Sequence, residues 1–170
     1  MNLKKYIRNI PDFPKKGIIF RDITPLLKNP EAFRFAILKL SEYFKTKKID
    51  KIVSMEARGF IIGSCLAYEL GCGFVPVRKK GKLPYKTIFI EYDLEYGKDI
   101  LEIHEDAIKE KDKVVIIDDV LATGGTASAV AKLIEKCGGK IVGFGFLIEL
   151  TYLNPREKLK GYDIFSLIQY

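Results

Sequence analysis

Apolar and polar positions along the chain alternate between two textures: short apolar runs, and longer stretches with helical spacing. "KIDKIVSME" (48–56) is an apolar run bounded by charges, the pattern of a buried strand. "FVPVR" (74–78) repeats it. "KVVIID" (113–118) is a nearly continuous β-branched run, which marks a strand covered on both faces. "KIVGFGFLIEL" (140–150) and "DIFSLI" (163–168) predict two more strands. Between these lie helices. Asn29-Pro30-Glu31 reads as a helix start, with an Asn cap, Pro at the first position and an acid in the first turn. Phe33, Ala36, Ile37, Leu40 and Phe44 follow at helical spacing, which predicts a helix of about 15 residues. "FIIGSCLAYELGCG" (60–73) predicts a second helix stopped by Gly71. "GTASAVAKLIEKCGG" (125–139) predicts a third, stopped by Gly138.

The span 79–113 has a different character. It is charged, with strand-like alternation at Thr87–Tyr92. It reads as a lid-like hairpin or long loop, followed by a short helix from about Glu105 to Glu110 with His104 at its opening. The strand–helix alternation on either side predicts an α/β fold with a central, mainly parallel sheet flanked by helices. In such sheets ligands bind beyond the C-terminal ends of the strands. Glu56–Gly59, Arg78–Lys82 and Asp118–Thr126 all fall there.

Bulk properties narrow the function classes. A chain of 170 residues, 48% hydrophobic and 30% charged, is that of one globular domain with a sizeable core. No apolar run approaches the roughly 18–20 residues that span a bilayer. "MNLKKYIRNIPDF" lacks the apolar core of a signal peptide, so a cytoplasmic protein is expected, with no membrane partner. Cys65, Cys72 and Cys137 form no C-x-x-C pair and His104 is the one histidine, which argues against zinc and against Ser-His or Cys-His catalysis. The cysteines read as reduced, half-buried small hydrophobes. The net charge of +7 suits nucleic acid or small polyphosphates.

The stretch "VVIIDDVLATGGTA" (114–127) bears on that choice. A buried strand that runs through a Gly-rich turn into a helix makes an anion site: backbone N–H groups point outwards and the helix dipole adds about half a positive charge. Ala122, Thr123, Gly124, Gly125 and Thr126 form this turn. It is not a Walker loop, since no Gly-Lys-Ser/Thr follows, and it lacks the third glycine of a dinucleotide fingerprint. Two aspartates beside an anion site conflict unless the ligand is part sugar. A carboxylate only accepts hydrogen bonds, and ribose offers two adjacent hydroxyl donors. The 5′-phosphate of that sugar lies roughly 6–7 Å away, about two residues' reach. Asp118 and Asp119 can thus hold the ribose diol while the turn holds the phosphate. The plainer alternative is a solvated acidic pair before an ordinary turn.

The same stretch resembles the phosphoribosyl pyrophosphate motif of the type I phosphoribosyltransferases, and its Asp-Asp-x-Leu-Ala-Thr-Gly-Gly-Thr form is similar to that of the adenine-specific members. The resemblance covers nearly the whole chain. "PDFPKKGIIFRDITPLL" resembles their N-terminal segment, "EARGF" their pyrophosphate loop, "RKKGKLP" and "LEYG" their flexible lid, and "REKL" with "FSLIQY" their C-terminal segment. One departure is "LNPREKL", where Pro155 stands in place of the expected Gly, in what reads as a peripheral loop.

The resemblance implies a single phosphoribosyltransferase domain over 1–170, with a base-binding N-terminal segment or hood (1–30) and a flexible lid (79–103). It implies conversion of adenine and phosphoribosyl pyrophosphate to AMP and pyrophosphate, with Mg²⁺ held mainly by substrate and water rather than by a protein metal site. A homodimer is implied, with no nucleic-acid partner. Ala57, Arg58 and Gly59 would bind pyrophosphate around a cis peptide, helped by Arg78, Lys79, Lys82 and Tyr96. Arg78 is also a candidate for the neighbouring subunit's site. Glu95 is the candidate general acid/base, and Arg58 shares the catalytic assignment. Ile19, Phe20, Arg21 and Val120 would bind adenine, Phe20 by stacking and its neighbours through their backbones. Blander readings stand beside these: Arg58 as a plain loop arginine, the basic cluster as a solvated loop, Glu95 as a lysine's partner, Phe20 as core. Two rival functions also stay open: a 6-oxopurine phosphoribosyltransferase, and a non-catalytic sensor of phosphoribosyl pyrophosphate that regulates by binding nucleic acid.

Overall fold

The computed structural model describes residues 1–93 and 97–170. Its centre is a seven-stranded sheet. Five strands run parallel: β3 (Lys51–Met55), β4 (Gly73–Lys79), β7 (Lys113–Leu121), β8 (Lys140–Glu149) and β9 (Ile164–Gln169). β5 (Thr87–Asp93) and β6 (Lys98–His104) form an antiparallel hairpin that joins the edge at β4, giving the order β5-β6-β4-β3-β7-β8-β9. A separate two-stranded ribbon, β1 (Arg8–Pro11) with β2 (Ile19–Asp22), forms the N-terminal hood.

The strand alternation sorts the core into two layers. On β7, Val115 and Ile117 pack with Leu40, Phe44 and Leu66, which belong to α2 (Pro30–Phe44) and α3 (Arg58–Leu70). Val114 and Ile116 pack on the other face with Val130 and Ile134 of α4 (Gly125–Lys136). A strand with both faces covered must be apolar at every position, which explains the β-branched run. α2 has the predicted 15 residues, and the Asn29 side chain accepts a hydrogen bond from the Ala32 amide. A short α1 (Thr24–Lys28) precedes it, its entry fixed by Asp22, which accepts bonds from the amide and hydroxyl of Thr24.

Four expectations change. Residues 105–110 form turns, not a helix. The segment buries one apolar side chain, Ile108, and the Asp112 carboxylate accepts the Lys109 amide, offering that backbone a bond outside any helix. His104 therefore opens no helix: it closes β6 opposite Thr87 and accepts a hydrogen bond from the Tyr85 amide. β7 continues past Asp118 to Leu121, because β8 keeps pairing with it there. α3 begins at Arg58, two residues before Phe60, so Arg58 and Gly59 belong to a helical first turn. The three cysteines are free and partly buried, as expected. Among the described residues, no helix is long and apolar enough to cross a membrane.

Candidate active site

The five parallel strands end on one side of the sheet, and the hood leans over the ends of β3 and β7. Between them lies a cavity of about 490 Å³, lined from the hood by Ile19, Phe20 and Arg21, from the β3–α3 turn by Ala57 and Arg58, and from β7 by Asp118, Asp119 and Val120. That is within the ordinary range for a small-molecule site. Beside it, the turn Ala122–Thr126 encloses a smaller hollow of about 90 Å³. Asp118 and Val120 border both spaces, and so do Ala122 and Thr126.

The turn is shaped for an anion. Gly124 has φ near 78° and caps α4 with no side chain bonded to the helix amides. A side chain at Gly124 is also blocked from behind: a Cβ there would lie 2.5 Å from the Pro155 carbonyl oxygen. The Pro155 loop, read as peripheral, is therefore the back wall of this turn. Pro155 and Leu159 of a 3-10 helix (Pro155–Leu159) are buried, and that helix packs on α4. A ten-residue β8 returns the chain to this side of the sheet, a placement that local sequence does not encode.

The two aspartates differ in surroundings. The Asp118 carboxylate accepts the Asp119 amide at 2.9 Å and presses against the first turn of α3, where a Cβ at Gly59 would stand 2.5 Å from its Oδ1. Gly59 thus contributes space for Asp118 rather than a wall of the main cavity. Asp119 is 5% exposed, and its Oδ2 lies 2.7 Å from Arg58 Nε. Burial, then the neighbouring Asp119 charge, pushes the Asp118 carboxyl well above the usual range. Burial also raises Asp119, against the pull of Arg58. Arg58 in turn lies over the Phe20 ring at 4.8 Å, a cation–π contact. Phe20 is half-buried and meets Phe13 edge-on at 5.2 Å. One arginine thereby connects the acid pair to the aromatic wall. The Glu56–Ala57 peptide just before it is cis.

The basic cluster is organised by Glu56, which the sequence placed at a strand end without a role. Its carboxylate accepts the Lys79 amide at 2.6 Å, Arg78 Nη2 at 3.1 Å and Lys82 Nζ at 3.3 Å. Burial works to raise the Glu56 carboxyl, but these three donors outweigh it and hold its pKa below the ordinary value. Arg78 also donates to the Lys82 carbonyl. Arg78 and Lys82 thus sit at Glu56, which lines the cavity, while Lys79 lines the cavity directly and pairs with Asp99 at 3.0 Å. Tyr92 and Asp99 of the hairpin complete that wall. The alternation of β5 and β6 could have flagged both as facing one side. Glu95 and Tyr96 lie outside the described residues.

A glycine-rich turn opening a helix, an acid pair and an aromatic wall in this order invite comparison with known proteins. Residues 22–167 match the phosphoribosyl transferase domain family. The chain belongs to the phosphoribosyltransferase family. It is 61% identical to the adenine phosphoribosyltransferase of Thermotoga sp. (strain RQ2), over the full length of both chains. It is similar to the crystal structure of adenine phosphoribosyltransferase from Thermoanaerobacter pseudethanolicus, with a TM-score of 0.96 and 58% identity, covering 99% of this chain and 98% of that one. The Saccharomyces cerevisiae adenine phosphoribosyltransferase, solved with an imino-altritol bisphosphate and adenine, matches at a TM-score of 0.90 and 43% identity, covering 96% of this chain and 95% of that one.

Proposed function

We propose that this phosphoribosyltransferase moves the 5-phosphoribosyl group from phosphoribosyl pyrophosphate to adenine, giving AMP and pyrophosphate. The observation that carries the reading is Asp118, which borders both a phosphate-sized hollow and an aromatic-walled cavity, with Asp119 beside it lining the cavity. Acid for the ribose diol, amides for the 5′-phosphate and a ring for the base then follow one nucleotide in order. Ala122–Thr126 hold the phosphate through α4's uncapped N-terminus. Asp118 and Asp119 accept the ribose hydroxyls.

Breaking the C1′–pyrophosphate bond builds positive charge on the sugar and negative charge on the leaving group. Cations and oriented amides stabilise the latter. Arg58 and Lys79 line the cavity for that task. Ala57 and Gly59 contribute the backbone of the loop, and Arg78 and Lys82 add charge from Glu56's side. Phe20 and Val120 sandwich adenine. β2 has a strand partner on one edge only among the described residues, so backbone groups of Ile19 and Arg21 on the other edge can read the base. A 6-oxo group would reverse donor and acceptor there and leave buried groups unpaired.

Mg²⁺ fits as an ion carried by substrate and water. Among the described residues, no cluster of three or more His, Cys, Asp or Glu side chains could hold a metal. The donors on hand, Asp118 and Asp119, are the hard oxygen ligands Mg²⁺ accepts. When bound, the ion would neutralise charge on the pyrophosphate oxygens.

In this reading residues 1–170 act as one unit: 1–30 seat the base, and 79–103 close over the site and exclude water. Glu95 serves as general acid/base, and Tyr96 covers the pyrophosphate. The unit works as a homodimer in the cytoplasm. Leu38, Ile61 and Tyr68, exposed on α2 and α3, support a self-association surface.

The test is product formation from phosphoribosyl pyrophosphate and Mg²⁺ with adenine, hypoxanthine, guanine, xanthine and orotate in parallel. AMP from adenine alone is expected. Turnover of a 6-oxopurine would reassign the base site. Binding of the sugar pyrophosphate with no turnover of any base would favour the sensor.

A further inference from the structure

We propose that Lys158 is a further 5′-phosphate-binding residue, its ammonium completing the cradle made by Ala122–Thr126. The proposal rests on the reading of the site given above.

Lys158 stands in the 3-10 helix behind the turn. Its stem crosses both glycines. A Cβ at Gly124 would be 3.4 Å from Lys158 Cβ, and one at Gly125 would find Lys158 Nζ nearest, at 3.7 Å, followed by Thr123 Oγ1 at 3.8 Å. The ammonium and the Thr123 hydroxyl therefore both border the open space at Gly125.

Four other cations around the site are held by carboxylates, and Arg21 instead donates to Asn9 and lies over the Tyr170 ring. Arg58 pairs with Asp119, Lys79 with Asp99, and Arg78 and Lys82 with Glu56. Lys158 has no such partner among the described residues, and the acid beside it, Glu157, pairs with Lys160 at 2.6 Å.

The segment that carries Lys158 is pinned. Arg156 donates two bonds to Glu149, each at 2.7 Å, and the Ser166 hydroxyl donates a third, also at 2.7 Å. Glu149 is 2% exposed at the end of β8. A lysine on so fixed a backbone pays less entropy to meet its ligand. The chemistry calls for it: a helix N-terminus offers only about half a positive charge, while a phosphate monoester brings close to two negative ones.

Calorimetric titration of the full chain with ribose 5-phosphate, and separately with pyrophosphate, tests this. Lys158→Gln should weaken ribose 5-phosphate binding about tenfold, a charged hydrogen bond partly screened by water. Pyrophosphate affinity and the melting temperature should hold, and Lys158→Arg should recover most of the loss. In turnover, the Michaelis constant for phosphoribosyl pyrophosphate should rise with kcat little changed. Unchanged ribose 5-phosphate affinity in Lys158→Gln would overturn the assignment. So would an equal loss for both ligands that arginine does not rescue, since that marks a structural role. A wild-type chain that binds neither ligand would overturn the reading of the whole site, and this proposal with it.

Discussion

The end of β7 and the β5–β6 hairpin both face the same cavity, and they are built differently. β7 is paired on both edges, by β3 and β8, and covered on both faces. The hairpin meets the rest of the sheet through two residue pairs, Arg78 with Glu102 and Lys79 with Leu101, and alternates half-buried with exposed positions along β5. Their ion pairs differ in the same sense. Arg58–Asp119 involves a carboxylate whose side chain is 7% exposed, whereas in Lys98–Glu91 both side chains are about half exposed or more, at 63% and 49%. A buried charge is costly unless paired, so its geometry is tightly determined; an exposed pair contributes little and is screened. Recognition of a fixed sugar phosphate belongs on the first kind of element.

This contrast can be broken from either side. The largest effect is expected at Glu95, between the hairpin strands and outside the described residues. Glu95→Gln should lower kcat roughly a hundredfold with little change in affinity, as for loss of a general acid/base. Equal turnover in variant and wild type would leave the hairpin as cover only. Asp119→Ala comes next. It should weaken phosphoribosyl pyrophosphate by about 1.5–3 kcal/mol, roughly ten- to a hundredfold in Michaelis constant. An unchanged Michaelis constant would separate the acid pair from the ribose.

Arg156→Ala should act on stability. Its loss strips the buried Glu149 of two bonds, at a cost of about 2 kcal/mol, less than for a fully buried pair because Arg156 is half exposed. The pH dependence has a definite sign. Hydrogen bonds from Arg156 hold the Glu149 carboxyl below its usual pKa, against its burial. The stabilisation is therefore full above the ordinary glutamate range and lost as the pH falls through the depressed value. Urea unfolding of both proteins should show the gap at pH 7 and its closure in acid; a gap independent of pH would assign the effect to packing. The smallest effect is expected on the hairpin surface: Lys98→Ala should leave the melting temperature where it was.

Much of the site was legible because it is local. Asp118, Asp119 and the turn after them are consecutive, so the chain order itself places two acids next to a glycine-rich turn. Helix α2 was legible for the same reason, since Asn29, Pro30 and Glu31 carry its start within three positions. The short segment 105–110 misled because helical composition over six residues yields to one carboxylate, Asp112, that offers the backbone another bond. The role of Glu56 was missed because its three partners come from the far end of β4 and the turn beyond.

The sequence by itself determined which strands are buried on both faces, where the glycine-rich turn lies and which acids precede it. Those features are written in the period and chemistry of neighbouring residues. Only the tertiary structure decided that Arg58 links Asp119 to the Phe20 ring, that Asp118 needs the space left by Gly59, and that Pro155 and Lys158 stand behind Gly124 and Gly125. These contacts join segments brought together by strand pairing and helix packing, and no local pattern encodes which distant backbone will arrive at a given strand end.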